Sequence, residues 1–223
     1  MIPYLRPDNL EDALSALSEH PRTLLAGGTD FFPARVGKPI TDNVLDLSGV
    51  ESLRNIQQTA DGFMLGGLTT WTDIIEAQLP SAFEGLKQAA KTIGGVQTQN
   101  AGTLVGNICN ASPAADSVPN LLALEAQVQL QSVRETRMLP LEEFILGNRK
   151  TANKADELIS GIFIPQPAEK ARGNFEKLGT RAYLVISIVM VGVVAELNES
   201  DEILNLKIAV GACSPVAQRL RLL

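Results

Sequence analysis

Two stretches carry residue types suited to cradling an anion. In the first, Leu24-Leu25-Ala26-Gly27-Gly28-Thr29-Asp30, an apolar strand runs into two glycines, a hydroxyl residue and an acid. Glycines reach positive φ and let backbone N–H groups approach an anion with no Cβ in the way. The Thr29 hydroxyl adds a donor. Taken alone, this is as readily a plain strand–Gly–Gly turn. The second stretch, Asn100 to Asp116, mixes small residues, hydroxyls and side-chain amides with few charges. An ordinary surface loop does not explain why Leu104, Val105, Ile108 and Cys109 are interleaved with its glycines. A half-buried loop whose backbone must find partners explains it better, and a bound diphosphate would supply acceptors for those N–H groups. Neither stretch is a P-loop or a G-x-G-x-x-G dinucleotide motif, so a doubly wound nucleotide domain is not expected. The sequence shows no nucleophile–base pair, no metal-ligand cluster and no paired carboxylates at catalytic spacing.

These stretches must be positioned by a folded frame. The chain has 223 residues, 45% of them hydrophobic, enough for a sizeable core and one or two domains. A net charge of −6 without basic clusters argues against nucleic acid or an anionic membrane as partner. The most apolar run, Tyr183 to Leu197, is broken by Ser187, Gly192 and Glu196 and is too short for a bilayer, so no membrane insertion is expected. Its Val and Ile content predicts one or two buried strands. No basic stretch with an apolar core follows Met1, so no secretory leader is expected. Two well-separated cysteines, Cys109 and Cys213, fit a reducing cytoplasm and rule out a cysteine-ligated iron–sulfur cluster held by this chain alone.

Pro7 to Leu17 reads as a helix capped by Asp8 or Asn9. Thr23–Ala26, Asn43–Leu47 and Gly62–Leu68 read as strands, and Thr70–Leu79 and Ser81–Thr92 as helices. Gly94 to Asp116 is expected to be irregular, being too glycine-rich for a regular helix and too apolar for a linker. Val118–Ala126 returns to helix, Gln127–Val133 and Leu158–Ile164 to strand, and Phe175–Leu197 with Ile203–Val210 form a strand-rich end. The expected organisation is an N-terminal α/β unit over 1–50, a second α/β unit over 51–168 and a β-rich unit over 169–223.

The two glycine stretches together resemble the flavin loops of the molybdenum hydroxylase flavoproteins, the family of carbon monoxide and xanthine dehydrogenase FAD subunits. Ala26-Gly27-Gly28-Thr29-Asp30 is similar to the first loop and Gly102-Thr103-Leu104-Val105-Gly106-Asn107 to the second. Asn110-Ala111-Ser112-Pro113-Ala114-Ala115-Asp116, Leu121-Leu122-Ala123-Leu124, Asp156-Glu157-Leu158-Ile159, Phe175 to Arg181 and Gly211-Ala212-Cys213-Ser214-Pro215 follow in the family's order. One departure is Val105, where the family usually has a second glycine. Another is the end at Arg221-Leu222-Leu223, where the family continues, so the chain is expected to be a shortened copy.

The resemblance implies an α+β fold of two FAD-binding subdomains, of the flavin-linked oxidase (PCMH-type) superfamily, with the start of a C-terminal β-rich domain. It implies FAD as cofactor. Ala26, Gly27, Gly28, Thr29 and Asp30 would form one wall of the diphosphate site, and Gly102, Thr103, Gly106 and Asn107 the other. Ser112 and Asp116 would lie near the ribityl and flavin end. Leu158 or Ile159 would make a backbone contact, Lys177 a polar contact near the flavin, and Tyr183 is the nearest aromatic to the stretch covering the ring. The plainer alternatives are that Asp30 and Asp116 are turn or cap acids, Tyr183 a packing residue and Lys177 a solvated charge. His20 reads as structural, and Cys109 as a small buried hydrophobe.

For function, the resemblance implies an electron-transfer subunit. A molybdopterin-binding large subunit would hydroxylate the substrate, and a [2Fe–2S] small subunit would pass electrons to FAD and on to NAD, a quinone or oxygen. Lack of catalytic side chains fits, because a cofactor carries the redox chemistry. Two alternatives stay open at this point: a stand-alone flavin oxidase, and a degenerate scaffold that binds partner subunits but not FAD.

Overall fold

The computed structural model describes residues 4–221. The leader reading at Met1–Pro3 and the last two residues, Leu222-Leu223, lie outside the described residues.

The first strand, β1 (Tyr4–Leu5), precedes helix α1 (Leu10–Glu19). Asn9 starts that helix, its side-chain oxygen accepting the Asp12 N–H at 2.9 Å, and Ala13, Leu14 and Leu17 form its buried stripe. Strands β2 (Thr23–Leu25) and β3 (Val44–Asp46) follow. The three strands make a small parallel sheet in the order β1-β3-β2, over which α1 packs to build a core with Leu45, Leu47, Val50 and Leu53.

Next come β4 (Ile56–Gln58), β5 (Gly62–Gly66) and α2 (Trp71–Glu76). Thr70 and Asp73 cap α2 reciprocally, each side chain accepting the other's backbone N–H. Helix α3 (Glu84–Thr92) is followed by α4 (Val96–Ala101), α5 (Leu104–Asn110) and α6 (Ser117–Ala123). Strands β6 (Gln127–Gln131) and β7 (Thr136–Pro140), the short helix α7 (Leu141–Phe144), the hairpin β8 (Ile145–Gly147) and β9 (Lys150–Thr151), and β10 (Leu158–Pro165) complete this part. Five strands pair antiparallel in the order β4-β5-β10-β6-β7. Phe63, Leu65, Val128, Leu130, Ile162 and Ile164 from this sheet meet Trp71, Phe83, Leu86, Leu104, Ile108 and Leu121 from the helices in the main core.

Strands β11 (Arg172–Leu178), β12 (Val189–Leu197), β13 (Ile203–Gly211) and β14 (Gln218–Leu220) form an antiparallel meander against α3 and α6. No helix among the described residues is long and apolar enough to cross a membrane.

The structure corrects two expectations. The Gly94–Asp116 segment is largely helical, because three of its four glycines lie outside the helices: Gly94 and Gly95 precede α4 and Gly102 follows it, and only Gly106 sits within one, in the first turn of α5. Thr103 then caps α5, accepting the Gly106 N–H at 3.0 Å, and Ala111 ends α5 in the left-handed conformation. The apolar run from Tyr183 is buried strand only from Val189 onward. Tyr183, Leu184, Ile186 and Ile188 stand out in the β11–β12 loop, Tyr183 and Ile186 each 80% exposed.

Candidate functional site

A cleft of about 510 Å³ opens where the end of β2 faces the α4–α5 region. Its first wall is Ala26 to Asp30. Gly28 has φ +71°, which turns the chain back after the strand. Gly27 is glycine for a different reason from the one the sequence suggested. Its missing Cβ would lie 1.7 Å from the Ala101 carbonyl oxygen, so it lets the two loops touch. Backbone N–H groups of Gly27, Gly28, Thr29 and Asp30 find no acceptor among the described residues. Four consecutive unpaired donors on a concave wall are the usual sign of a site built for an anion.

The second wall is Gly102 to Asn110. An antiparallel bridge fixes it to the start of α2: Trp71 N–H donates to the Gly102 carbonyl at 3.2 Å and Leu104 N–H to the Thr69 carbonyl at 3.0 Å. Thr103 uses its oxygen to cap α5, which leaves its O–H free to donate. Asn107 accepts the Ser117 hydroxyl at 2.7 Å through its carbonyl oxygen, which leaves its amide N–H groups free. Asn110 spans the walls, its amide 3.4 Å from Asp30 Oδ1. Ser112 and Ile159 also line the cleft, with Ile93, Val105 and Ala115 forming an apolar end.

Ala26, Gly27, Gly28, Thr29, Asp30, Gly102, Thr103, Gly106, Asn107, Ser112 and Ile159 are thus brought to one cleft. Asp116 and Lys177 lie just behind the wall. They form an ion pair at 2.7 Å with side chains 9% and 10% exposed, so Lys177 is no solvated charge. Asp116 stands at the α6 N-cap position but makes no capping bond. Tyr183 is outside the cleft lining. Cys109 is not the buried hydrophobe expected: it is exposed and lines the cleft, where desolvation by the walls around it raises its thiol pKa and disfavours the thiolate. Sequence reasoning missed Trp71, the chain's one tryptophan, and Gly67 in the lining. The Thr70–Asp73 cap spacing was the available signal that a helix starts beside the site.

Residues 1–167 match the family described as the FAD binding domain in molybdopterin dehydrogenase. The chain belongs to that family. It is 31% identical to the putative xanthine dehydrogenase FAD-binding subunit of Escherichia coli (strain K12), over 97% of this chain and 75% of the relative. It is 32% identical to the nicotinate dehydrogenase FAD-subunit of Eubacterium barkeri, over 88% of this chain and 69% of the relative. Among solved structures, a carbon monoxide dehydrogenase from Hydrogenophaga pseudoflava superposes with a TM-score of 0.87 at 27% identity, over 98% of this chain and 78% of that chain. The protein is therefore an FAD-binding oxidoreductase subunit of the molybdenum hydroxylase type, with the α+β fold the sequence resemblance implied. The cleft fits the cofactor: its volume lies in the ~300–1,000 Å³ range of ligand sites, its donors suit a diphosphate, and one end is apolar.

Proposed function

We propose that this cleft seats FAD between the Ala26–Asp30 and Gly102–Asn107 walls, and that the chain relays electrons within a multi-subunit molybdopterin-dependent dehydrogenase. Electrons would arrive from [2Fe–2S] clusters in a small subunit, after substrate oxidation in a molybdopterin-binding large subunit, and leave to NAD or a quinone. The observation that carries the reading is the row of backbone N–H groups from Gly27 to Asp30 that have no acceptor among the described residues, on a stretch that lines the cleft together with the second wall. These groups and the Thr29 hydroxyl would donate to the diphosphate. Thr103 O–H and the Asn107 amide would donate from the opposite side. Ile93, Val105 and Ile159 exclude water from the apolar end. When bound, FAD supplies the redox chemistry, accepting electrons singly and releasing them in pairs.

The contacts implied for Ser112, Asp116, Lys177 and Tyr183 belong to this proposal too. So does a division into units at 1–50, 51–168 and 169–223, which the three main sheets support. A cytoplasmic location is proposed on the two unpaired thiols. Cys109, though at the cleft, holds a high thiol pKa, which disfavours a covalently flavinylated oxidase.

The test is an absorbance spectrum after adding FAD and desalting, repeated with Asn107→Ala. Retained flavin absorbance that falls in the variant supports the site. Protein that stays colourless, alone and when co-purified with partner subunits, overturns it.

A further inference from the structure

The Lys177–Asp116 pair has a geometry that packing alone does not require. Asp116 Oδ2 accepts Lys177 Nζ at 2.7 Å, and Oδ1 accepts the buried Ser187 hydroxyl at 2.6 Å. Lys177 lies at the end of β11 and Ser187 just before β12, so one carboxylate fastens both ends of the loop Gly179–Ser187. A backbone bond closes the same neck, Ile188 N–H to the Leu178 carbonyl at 2.8 Å. Beyond the neck the loop is held by little: Arg181 donates to the Leu184 carbonyl within the loop itself, and Tyr183, Leu184 and Ile186 are exposed.

The same carboxylate is tied to the cleft. Asp116 follows Ala114 and Ala115, which line it. Thr92 Oγ1 lies 3.4 Å from Asp116 Oδ2, and its neighbour Ile93 lines the cleft as well. Buried ion pairs contribute little net stability beyond what packed apolar side chains would give. What this one supplies is position: a wall segment and a loop neck share a single acceptor.

We propose that Asp116 is a positioning residue through which occupancy of the cleft orders the Gly179–Ser187 loop. The proposal rests on the FAD reading only for the identity of the ligand. A ligand that presses on Ala114, Ala115 and Ile93 fixes the carboxylate, and the carboxylate fixes both loop ends. Loss of the Ser187 tether alone leaves the ion pair intact and loosens one end.

Trypsin cleavage after Arg181, inside the loop, reads this directly on the full chain, with cleavage after the exposed Lys170 as internal reference. Ser187→Ala is expected to raise the Arg181 rate about fivefold without ligand, the population change that loss of one hydrogen bond makes. With bound flavin confirmed by absorbance in each protein, FAD is expected to slow cleavage at Arg181 in the wild type and, normalised to Lys170, to leave flavin-loaded Asp116→Asn unprotected. A purely structural Asp116 would raise cleavage at both sites and keep the FAD effect. Equal Arg181 rates in wild type and Ser187→Ala overturn the tether. FAD that binds the wild type without slowing Arg181 cleavage overturns the coupling. A wild type that holds no FAD on its own is assayed again co-purified with its partner subunits; no flavin there either defeats the cofactor reading and the coupling with it, while the tether is judged on the ligand-free rates.

Discussion

Gly27 lies so close to Ala101 that a Cβ there would sit 1.7 Å from the Ala101 carbonyl oxygen. This contact sets the separation of the two cleft walls. Gly27→Ala must push the end of α4 away from the β2 loop, and backbone on the receiving side cannot rotate aside as a side chain can. Overpacking of this kind costs about 1–3 kcal/mol. FAD affinity is expected to fall more than tenfold, because the donors of the two walls no longer converge. Flavin titration paired with urea unfolding checks this, and unchanged affinity would show that the walls are set elsewhere.

That contact also marks how far the sequence could be read. The order of strand, Gly-Gly, hydroxyl and acid located the first wall, and the small-residue stretch located the second. The sequence could not say that Gly27 serves loop-to-loop contact while Gly28 serves the turn, since either use demands glycine. Helices α4 and α5 were hidden for a related reason. Glycine count lowers helix propensity, but Gly95 and Gly102 sit at helix boundaries, where that penalty does not apply. Strands β1, β4 and β14, of two or three residues, are too short to show alternation. Ser187 reads in the sequence only as a break in an apolar run, because its partner, Asp116, is far away along the chain.

Glu157 is almost wholly buried and receives both Arg137 guanidinium N–H groups, at 2.8 and 2.9 Å, plus the Lys154 backbone N–H at 2.7 Å. The Arg137 hydrogen bonds foremost hold its carboxyl at about 2, below the ordinary 4.5. A depressed folded-state pKa gives stability that is fully present above the unfolded value and is lost as pH falls through the folded one. Glu157→Gln is therefore expected to cost about 2 kcal/mol at pH 7. The difference from wild type should shrink from about pH 4.5 downward. Urea unfolding of both proteins across that range decides it; a pH-independent gap would mean the pair is not what protonation breaks.

Cys109 is exposed to the cleft, and desolvation by the walls around it raises its thiol pKa, which lowers its thiolate fraction at pH 8. Iodoacetamide reacts with thiolate. Alkylation of Cys109, inside the cleft, is therefore expected to be slow beside that of Cys213, outside it, and slower again with FAD present. Peptide mass spectrometry over a time course reads both sites at once. Rapid labelling of Cys109 that FAD does not alter would place the ligand outside this cleft.

Val105 stands where the family usually has glycine, and the structure shows how it is accommodated. It lies in the first turn of α5, outside the set of positive-φ residues, and is 8% exposed within the main core beside Leu104 and Ile108. No strain arises that a glycine would relieve, and a buried apolar side chain would be lost by the change. Val105→Gly is expected to destabilise the protein by about 2–3 kcal/mol, from lost burial and a cavity. Its FAD affinity should not rise. Thermal unfolding and flavin titration of the same preparation test the two halves separately. Flavin binding that appears only in the glycine variant would instead favour a chain that assembles with partners after losing its cofactor, because the valine would then be what closes the cleft.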